Sequence, residues 1–478
     1  MQLLFTSVTF VLFFLPAFLI AFRLVSGGRK FTTAAKVLLI FATYVFYGFE
    51  NTAYLLPFIF TTSLDLIWSY LLKRVNEPRL RKIILGASVL QNLSLFFIFK
   101  YLNSIAGWFP DCTALTTLQR AFADADGIIP LPPGISFYLF ESLSFVIDCY
   151  RDKIRSPKNP LNFLVFISMF PRFIAGPIVR YADLEDSILR YQGMRVANGL
   201  FIFMIGFSLK MLLADSFAQF VSLFFNHDLD FFRAWFGTLA YTFQLYVDFS
   251  AYSLMAIGLG MTIGFPFLDN FREPYMAQNI TEFWRRWHIS LSSWLRDYLY
   301  IPLGGNRHGE WRTQLNLFLT MLLGGIWHGA NLTFLFWGAY HGFILATERW
   351  LKRKSIVLNS KILTFCLVSL GWVIFRSNSV AQAGATYKAM LGFSGWHWTE
   401  ARNLIHSQHA ASFLSLCGIL WVLIVEPKIR KIRLHQPWHI LTVEHVHYLT
   451  IAFVFLIFIL ALAVCFSATT IPFLYFQF

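Results

Sequence analysis

Residues Gly324-Gly325-Ile326-Trp327-His328-Gly329-Ala330-Asn331 interrupt an apolar run that reaches from about Leu315 to Leu345. A run of that length reads as buried in a bilayer, whose hydrocarbon core about 20 apolar residues suffice to cross. A titratable imidazole therefore stands where hydrocarbon is expected. Ionisable groups at such positions are costly and usually mark a substrate path or a reacting centre. The glycines on either side permit close backbone approach and a local break in the helix. With an unperturbed pKa of about 6.5, histidine also suits proton transfer near neutrality. His328 is accordingly the expected chemical centre.

The charges around this run shape the fold expectation. Arg307 and Arg312 precede it, and Arg349, Lys352, Arg353 and Lys354 follow it. Short loops rich in Lys and Arg stay in the cytoplasm, so both ends fall on that side. The run is predicted to form two half-helices meeting at the Gly-Gly-Ile-Trp-His-Gly turn, with His328 near the midplane.

The whole chain agrees with a membrane setting. It has 478 residues, 57% hydrophobic and 13% charged, with a mean hydropathy of +0.58. Soluble domains carry about 25% charged residues, so the fold class is an all-α polytopic integral membrane protein in contact with lipid. Aromatic residues at 19% suit lipid-facing surfaces and interfacial belts. The net charge of +14 lies mostly in short loops between apolar runs, and the positive-inside rule explains it without nucleic acid as a partner. Cys112, Cys149, Cys366, Cys417 and Cys465 form no Cys-x-x-Cys, so neither a disulfide framework nor a thiolate metal site is indicated. The N-terminus lacks a basic start and a small-residue cleavage site, and reads as a retained first span.

Apolar runs near 3–25, 35–49, 53–72, 83–106 and 131–148 alternate with loops of changing charge. Arg23, Arg29, Lys30 and Lys36 follow the first, the cluster Lys73–Lys82 the third, and Arg151, Lys153, Arg155 and Lys158 the fifth. The loop at 107–130 is acidic through Asp111, Asp124 and Asp126. The N-terminus is therefore expected to face outward, with the acidic loop external. Residues 161–180 hold Pro171, Gly176 and Pro177 with Arg172 and Arg180, a broken segment of the kind that lines a cavity. Later runs lie near 197–225, 231–268, 361–376, 411–427 and 446–466, giving about eleven spans. In 279–300, Phe283, Trp287, Leu291, Trp294 and Tyr298 recur at helical spacing, opposite Glu282, Arg285, Arg286 and Arg296. That pattern predicts one amphipathic interfacial helix, capped by Asn279 or Thr281. No internal repeat is evident, and the chain reads as one membrane-embedded domain: N-terminal helices over 1–160, a core over 161–350 and C-terminal helices over 351–478.

Several chemistries lack their motifs. There is no Gly-x-Ser-x-Gly elbow, no His-Glu-x-x-His zinc site, no Walker A loop, and no His followed five residues later by Asp. Five blocks are present instead: Pro132-Pro133-Gly134-Ile135-Ser136-Phe137-Tyr138, Glu282-Phe283-Trp284-Arg285-Arg286-Trp287-His288, Leu303-Gly304-Gly305-Asn306-Arg307, Trp327-His328-Gly329, and the ending Pro472-Phe473-Leu474-Tyr475-Phe476-Gln477-Phe478. Together, and in this order over nearly the whole chain, they resemble the membrane-bound O-acyltransferase (MBOAT) family. The nearest likeness is to its bacterial polysaccharide branch, the alginate O-acetylase membrane subunits and the related peptidoglycan and D-alanyl acylation proteins. Leu254 departs from that branch, standing where alginate-type members carry Asp.

The resemblance implies helices around a central tunnel and acyl transfer across the bilayer. A cytoplasmic donor, acetyl-CoA, would give up an acyl group that leaves for a polysaccharide acceptor or a periplasmic SGNH-type acetyltransferase, with no bound cofactor and no metal. The family's essential histidine maps onto His328 as general base, and a second important one onto His288. From residue chemistry, Asn331 is a candidate oxyanion dipole, Trp327 a packing partner, and Glu141, Asp248 and Asp65 buried groups shaping the cavity. Arg285, Arg286 and Arg296 could attract donor phosphates or simply anchor the interface. Two other readings stay open: a transporter or flippase using His328 and Glu141 as a proton relay, and a scaffold subunit whose histidine is structural.

Overall fold

The computed structural model describes residues 3–124, 126–154, 159–174, 176–432, 443–467 and 471–474, and all of its regular elements are helices. The principal ones are α1 (Phe10–Ser26), α2 (Thr33–Gly48), α3 (Leu55–Arg74), α4 (Pro78–Lys100), α5 (Ile135–Tyr150), α6 (Pro160–Ile167), α7 (Phe170–Phe173), α8 (Val196–Phe225) and α9 (Phe231–Thr262). They continue with α10 (Ile280–Arg286), α11 (Ile289–Leu295), α12 (Glu310–His328), α13 (Leu332–Arg353), α14 (Lys361–Arg376), α15 (His409–Ile429) and α16 (Tyr448–Ser467). Five are long and apolar enough to cross a membrane by length and composition: α4, α8, α15, α16, and α3 with its preceding turn. Among the described residues five helices meet that length and composition, against about eleven spans expected, and α1 and α2 are apolar but shorter.

The chain divides into two compact units: Met1–Phe203 with Met255–Leu268 and Thr442–His445, and Met204–Leu254 with Asp269–Leu441 and Val446–Phe478. In the first unit, buried Asp65 on α3 accepts hydrogen bonds from Ser88 (3.0 Å) and Asn92 (2.9 Å) on α4 and from Ser142 (2.5 Å) on α5. A carboxylate buried among apolar helices needs such donors, and these three lock the helices in register.

The broken segment is present as expected. α6 ends at Ile167, α7 is a single turn, and residues 176–180 are non-helical. Thr43 on α2 bridges the break, donating to the Ser168 carbonyl and accepting from the Phe170 amide at 3.0 Å. Arg172 is ion-paired with Glu141 of α5, and Glu141 also accepts from the Val179 amide at 3.0 Å. The Pro132-Pro133-Gly134 block has a packing reason: Gly134 has φ +74°, and a Cβ there would stand 2.6 Å from the Phe173 carbonyl. Only glycine supplies that conformation and that approach together.

In the second unit, α12 and α13 form a hairpin joined by Gly329-Ala330-Asn331. The predicted reversal is there, but the arms are not half-helices. They run 19 and 22 residues, about 28 and 33 Å at 1.5 Å per residue. Gly324 and Gly325 remain helical, and Gly325 serves contact between the arms. A Cβ on Gly325 would lie 2.3 Å from the Phe334 carbonyl and 2.9 Å from Gly338 Cα, and one on Gly338 would lie 2.5 Å from the Met321 carbonyl. Small residues of this kind let membrane helices approach backbone to backbone. The chain breaks at Gly329, the last residue of the predicted turn and four residues beyond Gly325, and His328 becomes the last residue of α12.

Candidate active site

His328 is 4% exposed and enclosed by rings. Trp327 lies 4.9 Å away, Trp337 of α13 5.1 Å and Phe375 of α14 5.1 Å, all steeply inclined to the imidazole. Edge-to-face packing is the favoured arrangement for such rings. The cage excludes water, which strengthens every electrostatic interaction inside it. Asn331, three residues on, does not serve as an open dipole. Its Oδ1 caps α13 by accepting from the Thr333 amide at 3.1 Å, and its Nδ2 donates to the Asn378 carbonyl at 2.6 Å.

The segment 279–300 departs from the single helix predicted for it. Asn279 caps α10 as expected, accepting from the Glu282 amide at 2.9 Å. The helix then stops at Arg286 and restarts as α11 at Ile289. His288 stands at the break with φ +42° and ψ 55°, a left-handed conformation costly for a residue with a Cβ. What holds it there is Asn270. Asn270 Oδ1 accepts from the Ser290 amide (3.2 Å) and hydroxyl (2.9 Å) and faces His288 Nδ1 at 3.1 Å, while its Nδ2 donates to Ser253 at 3.2 Å. With Oδ1 as acceptor, Nδ1 carries the proton, and Nε2 becomes the basic nitrogen of this fully buried ring. The amphipathic face survives the break: Phe283, Trp287, Leu291 and Trp294 are all buried.

Trp327 joins the two histidines, 4.9 Å from His328 and 6.3 Å from His288. A third imidazole extends the row. His341 on α13 lies 5.0 Å from Trp337, is fully buried, and has no hydrogen-bond partner on either ring nitrogen among the described residues. Neither Asn270 nor His341 stood out in the sequence. His341 sits at helical spacing among apolar residues, and Asn270 acts on a residue 18 positions away.

The other candidates fall in different places. Asp248 of α9 pairs with Lys210 at 2.8 Å and accepts from the Leu474 amide at 2.8 Å. Lys210, on a π-helical turn of α8, also binds Asp215 at 2.7 Å. Phe473 stacks on Tyr252 at 4.6 Å and approaches Phe249, whose ring meets His288 at 4.7 Å. Of the ending motif, Tyr475 to Phe478 lie outside the described residues. Glu141 belongs to the first unit and is engaged by Arg172. Arg286 is held by Glu282 at 2.7 Å and Glu273 at 3.2 Å, and Arg296 by Asp297 at 2.7 Å. Arg285 is exposed, with no carboxylate partner among the described residues. Near the start of the hairpin, Arg349 binds Glu310 at 2.5 Å and holds its carboxyl below the ordinary value.

These features define a multi-pass membrane protein with a buried imidazole site, and the comparisons with known proteins give the class. Residues 88–376 match the membrane-bound O-acyltransferase family, and the chain belongs to it. Among its relatives, the probable alginate O-acetylase AlgI of Pseudomonas putida is 38% identical over 99% of this chain and 100% of its own length. The AlgI protein of Pseudomonas aeruginosa is 44% identical over 83% of this chain and 76% of its own. The peptidoglycan O-acetyltransferase of Helicobacter pylori is 34% identical over 86% and 83%. The chain is thus an acyltransferase, which implies an acyl donor and an acceptor.

Proposed function

We propose that this protein moves an acetyl group from a cytoplasmic donor, acetyl-CoA, across the bacterial inner membrane for O-acetylation of an exported polysaccharide. His328 acts as general base, taking the proton of the acceptor hydroxyl as its oxygen attacks the thioester carbonyl; the C–S bond breaks, coenzyme A leaves as the thiol with that proton, and the acetyl group passes to the polymer or to a periplasmic SGNH-type acetyltransferase. The observation that carries this reading is His328 closing α12 inside a water-poor aromatic cage, beside a second buried imidazole that Asn270 orients. The relatives named for polysaccharide O-acetylation support the choice of acceptor. General base catalysis is worth about 10²–10⁴-fold, so His328→Ala at matched membrane abundance is expected to abolish O-acetyl groups on the surface polymer while export continues. Normal acetylation in that variant would make His328 structural. Loss of export on deletion would favour transport. A proton relay through Glu141 has no support in its geometry, because Arg172 and the Val179 amide already occupy that carboxylate.

A further inference from the structure

The stretch joining α14 to α15, residues 377–408, carries a surface that the acyl-transfer site does not use. α15 is of span length and runs into Lys428 and Arg430, while Lys352, Arg353 and Lys354 precede α14. Basic ends stay in the cytoplasm, so the stretch lies where the two helices emerge on the external side. Leu391, Phe393, Trp396 and Trp398 are all exposed there, Phe393 by 73% and Trp396 by 59%. The backbone that presents them is fastened to the start of α9. Trp396 stacks on Phe231 at 3.8 Å, and Trp398 meets the edge of Phe232 at 5.1 Å. The Gly395 carbonyl accepts from the Phe231 amide and the Met390 carbonyl from Trp235 Nε1, both at 3.0 Å. Gly392 and Gly395 turn the chain at φ +85° and +92°, and a Cβ on Gly392 would stand 2.8 Å from the Trp396 ring, which only glycine avoids. These aromatic side chains are therefore held outward by a built loop.

Exposed apolar side chains set so close together mark a contact surface, and two observations say with what. The first is continuity with a lipid-facing helix. In the helix Trp398–His406, Leu404 and Ile405 pack against Phe220 and Phe224 of α8 and Ala411 of α15, leaving Trp398, Arg402 and His406 exposed. Further along α15, Phe413, Leu416 and Leu420 share one helix face and are exposed, as the side of a span turned to hydrocarbon must be. The second is charge. Glu400 is the sole acid of the stretch and is taken by Arg233, which also pairs with Asp230 at 3.2 Å. Lys388 and Arg402 stay exposed, with no carboxylate among the described residues. Tryptophan and phenylalanine beside unpaired cations suit the zone where acyl chains meet headgroup phosphates.

We infer that residues 388–406 form an interfacial anchor in the outer leaflet, with Phe393, Trp396 and Trp398 in the acyl-chain boundary and Lys388 and Arg402 on the phosphates of anionic phospholipid. The anchor bears on the site through Asn378, at the start of the same stretch, whose carbonyl accepts from Asn331 Nδ2 at 2.6 Å and so ties the turn after His328 to it. The lipid contact does not depend on the acyl-transfer reading. The test puts the photo-reactive residue p-benzoylphenylalanine at position 393 or 396 of the full-length protein, in nanodiscs of equal phosphatidylglycerol and phosphatidylcholine. Position 456, exposed on the apolar α16, is the lipid reference. Mass spectrometry of the irradiated protein should show phospholipid adducts at 393 and 396 as at 456. Phosphatidylglycerol should exceed phosphatidylcholine at 393 and 396 by about fivefold for each of the two cations, and Lys388→Gln with Arg402→Gln should remove the excess. Leu391, equally exposed, is the second site if either variant fails to fold. His328→Ala should give the wild-type adducts, so a failure of the acyl-transfer reading leaves this result untouched. No lipid adduct at 393 and 396 while 456 gives one overturns the anchor. So does a crosslink there to a second protein, or to alginate oligosaccharide added before irradiation, either of which would be a different occupant. Equal adducts of the two lipids at 393 and 396 overturn the headgroup pairing.

Discussion

Gly325→Ala is the smallest change that tests the hairpin. The added methyl would lie 2.3 Å from the Phe334 carbonyl, 2.9 Å from Gly338 Cα and 3.0 Å from Gly338 N. All three are backbone atoms, so no side chain can swing aside. Reaching ordinary contact at 3.4 Å requires the arms to open by about 1 Å. Overpacking of that kind costs about 1–3 kcal/mol, which a helical membrane protein can survive. The catalytic consequence is larger. The opening falls one turn from His328 and displaces Trp337 from the opposite arm, and a 1 Å misplacement at a reacting centre costs on the order of 10²-fold. The assay is acetyl transfer by purified protein in nanodiscs, together with polymer O-acetyl content in cells at matched abundance. Gly86→Ala on α4 is the control, because nothing lies within 4 Å of a Cβ there. Wild-type activity in Gly325→Ala, or equal damage from Gly86→Ala, would refute the close-packed hairpin as what positions His328.

Asn270→Ala removes the acceptor shared by His288 and Ser290, and activity should drop about 10²-fold through loss of ring orientation, with the protein still monodisperse on size exclusion; unchanged activity would make the Asn270 contact incidental. Lys210→Met leaves Asp215 and Asp248 buried without their cation, a change expected to destabilise the protein by about 3–5 kcal/mol. Replacing both carboxylates with Asn in the same variant should recover much of that in a thermal unfolding assay. The Glu310–Arg349 pair gives a pH dependence of definite sign. The Arg349 hydrogen bond depresses the Glu310 pKa from 4.5, so its contribution is full above that value and disappears as pH falls through the folded-state pKa. Glu310→Gln should flatten the acid side of the stability profile while leaving neutral stability nearly unchanged, because an exposed pair contributes little.

Much of this protein was written locally in its sequence. Apolar runs of span length and the basic clusters between them gave the helices, and Pro171 with Gly176 gave the broken segment, because hydrophobicity and proline geometry act over a few residues. His328 was legible for a related reason: an imidazole in an apolar run has few explanations. The glycines beside it misled, since Gly325 makes room for Phe334 and Gly338 on the opposite arm and breaks nothing. Asn331 looked available until the fold committed both ends of its amide to the α13 cap and the Asn378 carbonyl. The left-handed turn at His288 was hidden in an unbroken amphipathic pattern, because the cost of that turn is offset by Asn270 from elsewhere in the chain. Sequence alone determined that helices would form and that one histidine would be buried among them. Only the tertiary structure decided which side chains face that histidine, because hydrogen bonds and close backbone approaches join residues whose separation in the chain carries no periodic signal.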